Sequence, residues 1–396
     1  IHVLVTYMPI PLHIGEMKTK PTQQAIRMLN ESGIFPDFVL CRAEQSLDDM
    51  RKKKIEMYAN IPSENIISEP DVKTVYQIPL DLEKEDFGKK MMNRFGIQIR
   101  KKANWQNLEK LVKRIESPSK KIKIAIVGKY IDTGNFVLLD SYISIKNALE
   151  HAGAALDVGI DIDWLDSKKL EKSVDLSEYK GIIIPGGFGA IGVEGKINAI
   201  RFARKNDLPF LGLCYGLQLA VVEFARNECG MSGANTTEID KKTKFPVIDV
   251  IPTQKQMLKE NMYGGTMRLG AYAAALEKSS VLDLYKNRIK KDMESIKSLE
   301  KDKNQRHRIG LTKGSNLVLE RHRHRYEVNP RFVKDIEKNG LFFSGRHIRD
   351  DKTPLMEFME LPKHRFFIAT QAHPEFKSRL NNPSPLFYGF VRVCAQ

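Results

Sequence analysis

The segment Pro209-Phe-Leu-Gly-Leu-Cys-Tyr-Gly-Leu-Gln-Leu-Ala-Val-Val-Glu-Phe-Ala225 constrains this chain more than any other. It reads as a short buried strand (Phe210, Leu211) that turns through Gly212 to Gly216 and continues as an apolar helix from Leu217. A glycine stands two places before Cys214 and another two places after it. A nucleophile elbow needs that pattern, because flanking side chains would collide across so tight a turn. The following helix directs its first N–H groups at the sulfur, which suits a reactive thiol. The same residues also fit an inert cysteine in a core strand.

The chain has 396 residues, 42% of them hydrophobic, enough for two or three domains with cores of their own. Cys41, Cys214, Cys229 and Cys394 are scattered without paired spacing, so neither a zinc cage nor a disulfide framework is indicated. No metal ligands are assigned. The scattered thiols fit a reducing, cytoplasmic setting best, and no apolar run reaches the length of a membrane span. Ile1 lies inside what reads as a strand already under way, so the chain is expected to be part of a longer protein. The net charge of +15 favours polyanionic partners. With no zinc finger, RNA-recognition signature or basic-aromatic ladder, nucleotide phosphates are expected in place of nucleic acid.

Residues 1–100 alternate strand, helix and strand: Val3 to Tyr7, Gln24 to Glu31, Phe38 to Cys41, and a helix holding Lys54. Before the first helix, Lys18, Thr19, Lys20, Pro21, Thr22 and Gln23 place ammonium groups, hydroxyls and free N–H groups at a helix start, a plausible anion cradle. A solvated lysine-rich turn would look similar. Residues 101–120 read as a charged linker with a short amphipathic helix around Leu108, Leu111 and Ile115. From 121 the pattern becomes that of a doubly wound sheet: strands Ile122–Gly128, Val158–Leu165 and Tyr179–Pro185, helices Ser141–His151 and Gly195–Lys205, then the elbow. Ligands bind such sheets at the carboxyl ends of their strands.

Gly186 and Gly187 end one of those strands, where backbone can approach a substrate and turn an N–H toward a developing oxyanion. Tyr215, next after the cysteine, would supply a second N–H. Near the end, Arg365 to His373 reads as a last core strand, and His373 and Glu375 share a face if the chain stays extended. A carboxylate beside an imidazole fixes its tautomer and supports the imidazolium.

These residues resemble a class I glutamine amidotransferase, and within that group the CTP synthase family. The resemblance rests on Lys18-Thr-Lys-Pro-Thr-Gln23, Ile182-Ile-Ile-Pro-Gly-Gly-Phe-Gly189, Asn235-Thr-Thr-Glu238, Gly264-Gly-Thr-Met-Arg-Leu-Gly270, Glu320-Arg-His-Arg-His-Arg-Tyr-Glu-Val-Asn329 and His373-Pro-Glu-Phe376, in the family's order. It implies a flavodoxin-like α/β glutaminase domain over 121–396, preceded by part of a P-loop-type α/β amidoligase domain. Cys214 would be the nucleophile, His373 the general base and acid, and Glu375 its partner. Gly187 and Tyr215 would line the oxyanion hole. Gly186, Gln218, Glu238, Arg325 and Tyr326 would bind glutamine, with Glu238 on its α-ammonium and Arg325 on its carboxylate. Lys18, Thr19, Lys20, Thr22, Gln23 and Lys54 resemble the site for UTP and inhibitory CTP. Phe188 and the loop Gly264–Gly270, with Arg268, resemble the lid that answers GTP, the activator. The resemblance also implies ATP and magnesium at a site upstream of this chain, no cofactor for the glutaminase half, and a homo-oligomer, a tetramer able to form filaments.

The chain departs from the family pattern in places. It contains no Gly-x-x-x-x-Gly-Lys-Ser/Thr sequence for ATP phosphates. Tyr215 replaces a usual leucine and is expected to crowd the mouth of the site, and Ala372 replaces a usual aromatic. Residues 287–315 form an insertion; nine basic and four acidic residues between Lys286 and Arg308 suggest a solvated, mobile excursion. Two other readings remain open: a stand-alone γ-glutamyl amidase or hydrolase on the same fold, and a filament scaffold with catalysis secondary.

Overall fold

The computed structural model describes residues 1–101, 103–129, 142–250 and 267–396. These divide into two compact units, Ile1–Ser117 and Pro118–Gln396.

In the first unit, β1 (Val3–Tyr7), β2 (Phe38–Ala43) and β3 (Ile66–Pro70) form a parallel sheet in the order β1-β2-β3. Parallel neighbours need crossovers. Helices Lys20–Glu31 and Asp49–Ala59 provide them, burying Ile26 and Ile55 against Val39 and Cys41. The first helix begins four residues earlier than its sequence pattern suggested. Pro21, with no N–H to lose, serves as a first-turn residue. The segment 101–120 is no simple linker. Helix Gln106–Glu116 buries Leu111 and Val112 within this unit.

In the second unit, β4 (Lys120–Gly128), β5 (Val158–Asp166), β6 (Gly181–Ile184), β7 (Phe210–Leu213) and β15 (Phe367–Thr370) run parallel in the order β5-β4-β6-β7-β15. That is the flavodoxin-like order, with its switch point beside the first strand. Alternate residues serve opposite faces. Ile182, Ile184 and Phe210 pack under helices Val193–Lys205 and Tyr215–Asn227. Ile183, Leu211 and Leu213 pack under helices Ile143–Leu156 and Pro385–Cys394. Gly153 lies inside the first of these last two helices instead of ending it; Asp157 in the left-handed region does that.

Beyond β15 the sheet continues antiparallel through β14 (Pro354–Glu360), β13 (Phe342–Ile348), β10 (Arg268–Leu276) and β11 (Leu317–His324). A small sheet of β8 (Asn235–Thr236), β9 (Pro246–Val250) and β12 (Tyr326–Val328) stands apart from it.

The charged insertion is ordered, contrary to its sequence reading. A helix spans Ser280–Lys301, and the Ser279 hydroxyl caps it by accepting from Leu282 N–H. Its apolar positions Val281, Tyr285 and Ile296 are buried, and Asp292 on the same side accepts from the Leu319 N–H at 3.0 Å. Arg288 reaches Glu320 at 3.1 Å. The excess lysines lie on the opposite, wet face.

Candidate active site

Three neighbouring parallel strands, β6, β7 and β15, end at one place. Cys214 sits just after β7 with φ 51° and ψ −98°, in the strained left-handed half of backbone space, and its N–H donates to the Thr370 carbonyl at 2.7 Å. The two flanking glycines are sterically required. A Cβ on Gly216 would lie 2.3 Å from the Ile184 carbonyl oxygen, and one on Gly212 would lie 2.8 Å from the Ala369 Cβ.

His373 follows β15. Its Nδ1 lies 2.7 Å from Glu375 Oε1, its N–H donates to the Arg321 carbonyl, and its ring stacks on Phe376. The two side chains do not meet along extended chain: Glu375 lies in a short 3-10 turn, Pro374–Lys377, that folds it back onto the imidazole. The other ring edge faces Gly186, where a Cβ would stand 2.6 Å from His373 Cε1 and 3.6 Å from Cys214 Cβ. A side chain at 186 is thereby excluded. Burial opposes the imidazolium, yet Glu375 and a hydrogen bond with Cys214 carry the His373 pKa well above its ordinary value.

The loop after β6 is pinned on several sides. Gly189 N–H donates to Glu238 Oε1 at 2.9 Å, its carbonyl accepts from Tyr215 Oη at 2.7 Å, and Lys129 Nζ donates to the Phe188 carbonyl. Among the described residues, the N–H groups of Gly187 and Tyr215 donate to no protein acceptor. The Tyr215 side chain does not crowd the mouth. It is 1% exposed and turned into the core under Gly189.

Gln218 is buried, its Nε2 donating to the Tyr326 carbonyl at 2.9 Å and to Gln371 Oε1 at 3.2 Å. Gln371, which the sequence reading missed, passes the chain on by donating to Cys214 Sγ at 3.6 Å. Its position two before His373 was the available signal. Burial raises the Tyr326 pKa, reinforced by the Glu238 charge and opposed by that of Arg325, so these three groups share one neighbourhood. Phe188 is exposed, with Lys129 Nζ 4.2 Å from its ring centre.

Arg268 is not an available anion ligand. It starts β10, buried, with Nη1 3.1 Å from Glu327 and 2.8 Å from Glu357 and its guanidinium over the Tyr272 ring. Gly264, Gly265 and Thr266 of the expected lid lie outside the described residues.

In the first unit, Lys18 and Lys54 converge on Glu16. The Lys18 hydrogen bond and charge, opposed by desolvation and helped by the Arg51 and Lys54 charges, hold its carboxyl below the usual range. Arg51 and Glu16 were not singled out from sequence. Thr19 is the N-cap residue and Gln23 N–H donates to its carbonyl, while Lys20 is exposed. Thr22 is fully buried, its hydroxyl bonded to Thr6 Oγ1, so it braces the helix against β1 instead of facing a ligand.

A family model described as glutamine amidotransferase class-I matches residues 137–393, and one described as CTP synthase N-terminus matches residues 1–97. CTP synthase of Pyrococcus abyssi is 44% identical over 397 residues, covering 100% of this chain and 67% of that protein. This chain belongs to the CTP synthase family. That of Methanocaldococcus jannaschii is 43% identical over 406 residues, covering 99% of this chain and 67% of that protein. Among solved structures, the glutaminase domain of a Trypanosoma brucei CTP synthase with bound acivicin superposes with a TM-score of 0.56 at 34% identity, covering 69% of this chain and 94% of that one. CTP synthases are ligases that carry a glutamine amidotransferase domain, and this chain matches a segment of each of the two family models.

Proposed function

We propose that this chain hydrolyses glutamine at Cys214, His373 and Glu375 and delivers the ammonia to ATP-dependent amination of UTP to CTP. The observation that carries the reading is His373 standing between Cys214 and Glu375 at the carboxyl ends of adjacent strands. The Cys214 sulfur attacks the side-chain amide carbon, and His373 gives a proton to the departing ammonia. His373 then takes a proton from water as the thioester is hydrolysed to glutamate. The N–H groups of Gly187 and Tyr215 hold the oxyanion in both steps. Glu238 meets the substrate α-ammonium and Arg325 its carboxylate, with Gln218 and the Gly186 and Tyr326 backbone shaping the pocket. Lys18, Thr19, Lys20, Gln23 and Lys54, now joined by Arg51, bind the phosphates of UTP or of inhibitory CTP. GTP binding near Phe188 stimulates glutamine hydrolysis. Among the described residues no cluster could hold a metal ion, so no residue is assigned to magnesium.

The test is ammonia release from glutamine by the polypeptide and its Cys214→Ala variant, with and without GTP. Activity lost in the variant and altered by GTP supports this reading. Cys214→Ala activity equal to wild type would refute the cysteine mechanism, and indifference to GTP would favour a stand-alone amidase.

A further inference from the structure

Lys196 is 1% exposed, in the first turn of helix Val193–Lys205. Its Nζ lies 5.3 Å from the centre of the Tyr215 ring, and 3.8 Å from where a Cβ of Gly187 would stand. One buried ammonium thus lies close to both residues whose N–H groups are assigned above to the oxyanion. Among the described residues it has no carboxylate or hydrogen-bond partner. Three features make this a costly place for a cation. It is desolvated, it sits at the positive end of a helix dipole, and Lys129 adds a like charge. Burial, then Lys129, bring its pKa down to about 8, which leaves it mainly charged at neutral pH. A methionine of similar length would fill the space without those costs. Unpaired buried charge of this kind concentrates at functional sites.

We propose that Lys196 is a positioning residue of the glutaminase site, its ammonium held beneath Gly187 and Tyr215 to keep their N–H dipoles and the local potential directed at the tetrahedral oxyanion. The inference rests on the glutaminase reading above. A charge fixed under the oxyanion loop acts on the transition state and leaves the uncharged ground-state amide nearly unaffected, so it influences kcat and spares KM.

The experiment compares wild type, Lys196→Met and Lys196→Arg in three measurements: steady-state glutamine hydrolysis, the rate of Cys214 alkylation by iodoacetamide, and thermal midpoint. Alkylation consumes the same thiol without forming an oxyanion. For Lys196→Met we expect kcat to fall about ten- to a hundredfold, with KM within about twofold, unaltered alkylation, and an equal or higher midpoint. Lys196→Arg should recover much of the kcat. An unchanged kcat in Lys196→Met would overturn the proposal. So would parallel losses of hydrolysis, alkylation and midpoint, which would mark a structural lysine. A wild-type chain that alkylates at Cys214 yet hydrolyses no glutamine would instead overturn the glutaminase reading itself.

Discussion

A single methyl at Gly216 would press to 2.3 Å from the Ile184 carbonyl oxygen, a backbone atom that cannot swing aside. Gly216→Ala should therefore displace the elbow, costing about 1–3 kcal/mol of stability and most of the ammonia release, read by denaturant midpoint and glutaminase assay. His373 sets the pH behaviour. Its folded pKa lies well above the ordinary value because Glu375 and Cys214 outweigh burial. Its contribution to stability is accordingly complete below about pH 6.5 and is lost as pH rises through the folded value. The alkaline limb of kcat/KM for glutamine should follow the same group. Glu375→Gln removes the carboxylate and should shift that limb toward neutrality while lowering kcat. A limb that stays in place would mean that another group titrates there. The cysteine, histidine and glutamate were legible because each sits in a short pattern with a steric or electrostatic reason. Gln371 and Lys196 were not: beyond the place of Gln371 two before His373, their contacts with Cys214 and with Tyr215 depend on what lies across the fold.

At the scale of elements, the parallel strands declared themselves through unbroken apolar runs such as Ile182 to Ile184, buried on both faces. The helix Ser280–Lys301 was misread because net charge was weighed above spacing. Val281, Tyr285, Asp292 and Ile296 recur at spacings of four and seven residues on one side, and Ser279 offers a cap, so a helix signal was present. Arg268 was misjudged for a related reason. A glycine-rich loop in sequence begins a strand in the fold, and its partners Glu327 and Glu357 come from distant segments. Ile296 packs with Ala273, Ile309, Leu317 and Leu319. Ile296→Ala should cost about 2–4 kcal/mol in a denaturant titration, whereas a mobile excursion would show no loss.

Across the whole molecule, the proposed nucleotide and glutaminase residues fall in two different compact units, so their perturbations should separate. Lys54 is exposed on its helix, and Lys54→Ala should weaken UTP affinity by about 1.5–3 kcal/mol while leaving glutaminase kcat unchanged, as calorimetry and ammonia release would show. Equal losses of both would signal misfolding. Acid should act on the second unit. Burial, then Arg268, depresses the pKa of His322, His324 and His347, the last to about 3, so all three are neutral when folded. Unfolding lets them take up protons, and stability should fall as pH drops below about 6.5; a flat midpoint from pH 7 to 5 would contradict this. The order of the strands has one more outcome, in time. Gln371, which touches the Cys214 sulfur, lies 157 positions further along the chain, and His373 comes just after it. At roughly 5–20 residues per second of synthesis, the thiol waits on the order of ten to thirty seconds for its base to be made. The nascent polypeptide thus carries a cysteine without its imidazole, and the reactive pair comes into being only when β15 slots in beside β7.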